Sequence, residues 1–120
     1  MALISIKPVR IQTDESADEW IEIKPKLSAS DRALIEDTFI DAAVNDGRTD
    51  VTVRLGARRI AILKCAIVDW HQRDGDNPDE WVAFKKELVG DRIDPDDPLA
   101  KLVLAEVLKR NPSLVLGEQS

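Results

Sequence analysis

Cysteine is almost missing from this chain. A single residue, Cys65, stands among 120, so no internal disulfide can form and a reducing compartment is expected. Placed on a predicted buried helix, it reads as a small core hydrophobe. Basic charge is short as well: 17 Lys and Arg against 23 Asp and Glu leave a net charge of −6. Phosphate affinity comes mainly from Lys and Arg, so nucleic acid and acidic membrane surfaces are poor partners. No apolar run approaches the ~18 residues that a membrane span requires. The opening MALISIKPV is apolar for only a few residues and has no basic region ahead of it, so no secretory signal is expected and the cytoplasm is the expected location. There is no G-x-x-x-x-G-K-[ST], G-x-G-x-x-G, C-x-x-C or G-x-S-x-G motif, and no internal repeat or low-complexity tract. Neither an enzyme nor a cofactor is expected.

What is present is the composition of a globular protein, 43% hydrophobic and 33% charged, at a length that suits one core. Residues 1–112 read as a single domain and 113–120 as a C-terminal tail. The predicted class is α+β: an N-terminal β-hairpin with a candidate third short strand, followed by and packed on about four α-helices. Residues 2–13 form an edge strand interrupted at Pro8, which cannot donate to a ladder. Asp14 to Asp18 is an acidic turn, and Trp20 to Lys24 alternates Ile21 and Ile23 with Glu22 and Lys24 as a second strand ending at Pro25. Ser28 and Asp31 match a capping-box start for a helix that runs to Asn45-Asp46-Gly47, with Ile35, Phe39 and Ala42 inward and Asp31, Glu36 and Asp37 in solvent.

Val51 and Val53 alternate with Thr52 and Arg54, which predicts the third strand over 50–55, with Gly56 turning the chain. The centre of the reading is Ala57 to Trp81. Ile60, Leu63, Ile67 and Trp70 recur at steps of three and four, the signature of a core helix from Ala57 to Trp70. Asn77 then caps a helix with Pro78 at its first position, Trp81, Phe84 and Leu88 inward, and Gly90 at its end. The last helix starts at Asp94-Pro95 or Asp97-Pro98 and stops before Asn111-Pro112.

Candidate chemistry is sparse. Asp69, His71, Asp74, Asp76, Asp79 and Glu80 crowd one region, but Pro78 follows Asn77 where a calcium loop needs further ligands, and one His with one Cys does not make a zinc site. His71 as a general base lacks a declared nucleophile. No catalytic, cofactor or metal residue is therefore assigned. Partner binding is the better expectation. Arg58 and Arg59 fall in the first turn of the predicted central helix, where cations are disfavoured. Pairing with Asp46 or Asp50 would explain them, and so would an earlier helix start; alternatively Arg54, Arg58 and Arg59 meet an acidic partner. Trp20 on the hairpin is a candidate interface anchor. The last helix is apolar around most of its girth, so Leu99, Val103, Leu104 and Val107 are assigned either to deep burial or to an intermolecular contact.

The segments Trp20 to Leu27 and Val53 to Trp70, the Gly75-bearing turn and the closing pair of acidic-capped helices together resemble the small tail-assembly chaperones of long-tailed bacteriophages. The resemblance implies a non-catalytic protein of the infected host's cytoplasm that coats the tape measure protein and delivers it to tail-tube protein. It also implies self-association and a longer form made by translational frameshifting. Two other readings stay open: a structural tail or head-tail completion protein of the virion, and a small hydrolase or metal-dependent enzyme centred on His71.

Overall fold

Trp20–Ile23 alternates as its sequence requires, burying Ile21 and Ile23 and turning Trp20 and Glu22 to the other face. In the computed structural model, residues 3–12, 18–45 and 51–114 are described, with side chains for all of these except 39–45 and 51–54. This strand, β2, pairs antiparallel with the edge strand β1 (Val9–Ile11) in the register Val9 to Ile23, Arg10 to Glu22 and Ile11 to Ile21. The expected hairpin is thus present, with β1 beginning just after Pro8. The DESAD turn lies mostly outside the described residues.

Helix α1 (Ala29–Asn45) starts where its capping box predicts. Asp31 N–H donates to Ser28 Oγ at 3.1 Å, and Ser28 N–H donates to the Asp31 carboxylate at 3.2 Å. Asp31 is not the solvated residue expected, because Lys24 Nζ also binds it at 2.9 Å. Burial alone would raise the Asp31 pKa, but the hydrogen bonds from Lys24 and Ser28 outweigh it and hold the carboxyl below its ordinary value. Ile35 is fully buried; Phe39 and Ala42 lie on α1 with their side chains outside the description, and the Asp46-Gly47 cap lies outside the described residues.

The third strand predicted over 50–55 gives way, at 51–55, to the first part of α2 (Val51–Ala66), and Asp50 lies outside the described residues. Two alternating valines are a weaker signal than the helical stripe they precede, for Leu55, Arg58, Arg59 and Ile62 line one groove at steps of three, four and seven. Gly56 lies inside this helix, with nothing within 4 Å of the space a Cβ would take. The earlier start also removes the unfavourable placement of Arg58 and Arg59, which lie in the body of α2.

The predicted continuation of the helix to Trp70 is also corrected. Helix α2 stops at Ala66, and Ile67–Arg73 is a strand, β3, paired with β2. The error has a physical origin. Ile23 faces Ile67 whereas Glu22 faces Asp69, so Val68 is an extra residue at a bulge. The bulge lets Ile67 and Trp70, three apart, both face the core, which imitates helical spacing.

The capped helix predicted from Asn77 is likewise absent. Glu80 N–H closes a turn onto the Asn77 carbonyl at 2.9 Å, with Pro78 at its second position, and Asp74 N–H donates to the Glu80 carbonyl at 2.9 Å. Asn-Pro serves a β-turn as well as a helix start. Trp81–Val82 then forms β4 against β3, completing an antiparallel sheet ordered β1-β2-β3-β4. The helix that follows, α3 (Lys86–Arg92), contains Gly90 instead of ending there. The last helix, α4 (Pro98–Arg110), starts at the second of the two candidates: the Asp97 carboxylate caps Leu99 N–H at 3.0 Å.

One face of the sheet carries the helices. Ile21, Ile23, Ile67 and Trp70 join Leu27, Ile35, Ile62, Leu63, Val89, Val103 and Val107 in a single buried cluster. Cys65 is part of that cluster, and burial, with the Asp31 charge next in effect, raises its thiol pKa. Asn111, at the end of α4, is buried and bonded at both ends of its amide: its Oδ1 accepts from Leu27 N–H and its Nδ2 donates to the Val107 carbonyl, each at 2.9 Å. No helix among the described residues is long and apolar enough to cross a membrane.

Candidate interaction surface

Helices α2 and α4 meet along a groove to which a short 3-10 turn, Pro112–Leu114, contributes Leu114. From α2 come Leu55, Arg58, Arg59 and Ile62, from α4 Leu104 and Leu108, and from the turn Leu114; together they line about 210 Å3 of cavity. The spacing builds it directly. Leu55 and Ile62 are two helical turns apart on α2, and Leu104 and Leu108 one turn apart on α4, so the apolar walls run lengthwise along both helices. The charged residues lining the groove are both arginines, in a chain whose net charge is −6.

Arg58 and Arg59, adjacent in sequence, differ sharply in setting. Arg59 is exposed. Arg58 has a side chain only 5% exposed, and its NH2 reaches the Glu36 carboxylate of α1 at 3.1 Å. Its Nε is enclosed with no hydrogen-bond partner. Pairing of Arg58 with α1 was not foreseen; the sequence had offered Asp46 and Asp50, which lie outside the described residues. The only available signal was the phase of Glu36 on α1, and that becomes informative only once the crossing of α1 and α2 is known.

The other sequence-predicted contact residues separate. Arg54 lies on α2, with its side chain beyond the description. Val103 and Val107 are 0% exposed and Leu99 is buried beside them, so of the two alternatives read from the sequence these three take deep burial. The reason is that α4 buries its Leu99-Val103-Val107 stripe against the sheet and α2 and turns the next stripe, Leu104 and Leu108, to the groove. Leu102 points away from both and is 47% exposed.

Trp20 lies on the sheet face opposite the helices, within a stack that crosses the strands. Arg10 of β1 lies 4.0 Å above the Trp20 ring. Trp20 stacks on His71 of β3 with 5.8 Å between centroids, His71 stacks on Trp81 at 3.6 Å, and Arg73 covers Trp81 at 4.4 Å. Cross-strand pairing of Trp20 with His71 and of Arg73 with Trp81 sets this order. His71 Nδ1 donates to the Asp18 carbonyl 2.7 Å away, since a carbonyl can only accept, which fixes the proton on that nitrogen. The ring faces of His71 are thus taken up by tryptophans. Arg73 in turn binds the Asp18 carboxylate, which holds the Asp18 pKa below its ordinary value. Among the described residues, no three His, Cys, Asp or Glu side chains are grouped so as to hold a metal ion.

A second concavity of about 370 Å3 lies between the β3-β4 end of the sheet and the start of α4. Its floor holds Trp70, Val82 and Leu99, and its rim Arg73, Arg92 and Asp97. These charges already have partners. Arg92 binds Asp74 at 2.8 Å, Arg73 binds Asp18, and Asp97 caps α4. The Asp76 backbone N–H, and after it Arg92, holds the Asp74 carboxyl below its ordinary pKa. The α2-α4 groove, by contrast, sets the half-buried Leu55, Leu104 and Leu108 beside a cation whose Nε has no partner. Comparison with protein-family models, curated proteins and solved structures finds no match for this chain.

Proposed function

We propose that this chain is a non-catalytic tail-assembly chaperone of a long-tailed phage, which holds an apolar helical stretch of the tape measure protein in the α2-α4 groove and releases it to tail-tube protein. The observation that supports this reading is the groove itself. Its half-buried Leu55, Leu104 and Leu108, over a floor of buried Ile62 and Leu114, suit an amphipathic helix presenting side chains at steps of three and four. The acidic remainder of the chain would keep such a complex soluble in the host cytoplasm. Self-association belongs to the same proposal and would use the exposed apolar residues Leu34 and Leu102.

Co-expression with the tape measure protein encoded downstream tests it. The wild-type chain is expected to raise that protein's soluble yield and co-purify with it, and Leu104→Asp with Leu108→Asp to lose both effects while the chain stays folded. An unchanged yield with the wild-type chain would sink the proposal. Mass spectrometry of purified particles separates it from a completion protein, because a chaperone is absent from the virion and a completion protein is present.

A further inference from the structure

We propose that the segment received by the α2-α4 groove carries a carboxylate among its apolar residues, and that Arg58, with Arg59 at the rim, takes that carboxylate in place of Glu36. The inference rests on the reading of the groove as a docking site and specifies the chemistry of what docks. A guanidinium presents five N–H donors, and a buried one needs most of them met. Among the described residues Arg58 has one acceptor, Glu36, which touches NH2 at 3.1 Å, and its Nε is enclosed without a partner. The pair is also lopsided. The Arg58 side chain is 5% exposed and that of Glu36 is 51% exposed, so the cation is dehydrated while its counter-charge remains largely in water.

Such a pair is poorly matched for stability and well matched for exchange. A carboxylate arriving between apolar side chains would be dehydrated together with the groove and able to engage the guanidinium as a two-pronged fork, which the single contact from Glu36 does not do. The walls indicate a helix as the carrier, since half-buried leucines, Leu55 on one side and Leu104 and Leu108 on the other, lie along the two helices. A lysine or arginine at the same place would be driven against Arg58 and Arg59, so the groove discriminates by repulsion as well as attraction.

The test uses the full chain and three synthetic amphipathic helices of about 18 residues, or five turns, identical except for Glu, Gln or Lys at the middle of the apolar face, with binding measured by calorimetry. The Glu peptide is expected to bind about tenfold or more tighter than the Gln peptide, as for a hydrogen bond to a charged group, and the Lys peptide weakest. The Glu-over-Gln preference should vanish in Arg58→Met. Because that variant alters a buried residue, Glu36→Gln provides a second arm: freeing the guanidinium should strengthen binding of the Glu peptide several-fold. Equal affinity for Glu and Gln peptides, a preference retained in a folded Arg58→Met, or no gain in Glu36→Gln would each overturn the assignment. Leu104→Asp separates the two levels. If it abolishes binding while Glu and Gln peptides bind alike, only the carboxylate is refuted; if it changes nothing, or if no peptide binds the wild-type chain, the docking reading falls with it.

Discussion

At the scale of single residues, two buried groups have opposite dependence on their neighbours. Asn111 is bonded through both its amide oxygen and nitrogen, joining Leu27 N–H to the last turn of α4. Asn111→Leu keeps approximate bulk but strands a buried amide donor, and should lower unfolding free energy by about 1–3 kcal/mol in urea titration. Cys65 depends on nothing polar beyond a 3.8 Å approach of its Sγ to the Asp31 carbonyl. Its raised pKa and burial remove both the thiolate and the access that alkylation needs. Iodoacetamide should therefore label the native chain far more slowly than the urea-unfolded chain, with equal rates in the two states as the contrary result.

At the scale of elements, the test case is the start of α2. Gly56 has helical neighbours on both sides and open space where a Cβ would stand. Gly56→Ala should therefore stabilise the chain by about 0.5–1 kcal/mol, read as a rise in thermal midpoint. A glycine needed for a turn into the helix, as the sequence alone suggested, would make the same substitution destabilising. The outer sheet face offers a second case. Trp81 is 41% exposed yet stacked on both His71 and Arg73, and Trp81→Ala should cost about 0.5–1.5 kcal/mol beyond its lost area and flatten the near-ultraviolet circular dichroism.

These cases show what local pattern can and cannot reveal. The hairpin, the Ser28-Asp31 capping box and the Asp97-Pro98 start of α4 depend on residues within a few positions of one another, and all were legible. The bulge at Val68 and the turn at Pro78 depend on pairing across strands, and there the same residues suited a helix equally well. Of the groove, Arg58, Arg59 and Leu104 were legible as contact candidates. Leu55, Ile62, Leu108 and Leu114 join them only because α2 and α4 are placed side by side, a relation no single helix encodes.

Across the whole molecule, acid is the informative variable. Asp18, Asp31 and Asp74 all have pKa values below the ordinary one, at the sheet, at the start of α1 and in the β3-β4 hairpin respectively. A carboxyl held low in the folded state adds stability that is present above its unfolded pKa, ~3.9, and is lost as pH falls through the folded value. The urea midpoint should therefore be level from neutral pH to about pH 5 and drop steeply below pH 4. A midpoint that rises on acidification would contradict the native ion pairs of all three regions.

The Asn111 clasp also sets a schedule for synthesis. Leu27 N–H waits for an acceptor made 84 residues later, which at ribosomal speeds is roughly 4 to 17 s. Over the same interval Ile21, Ile23 and Ile35 emerge before the Val103-Val107 stripe that shares their core. The growing chain therefore shows its own apolar surface to the cell for seconds in every round of translation, and completes its fold only when the last helix has left the ribosome.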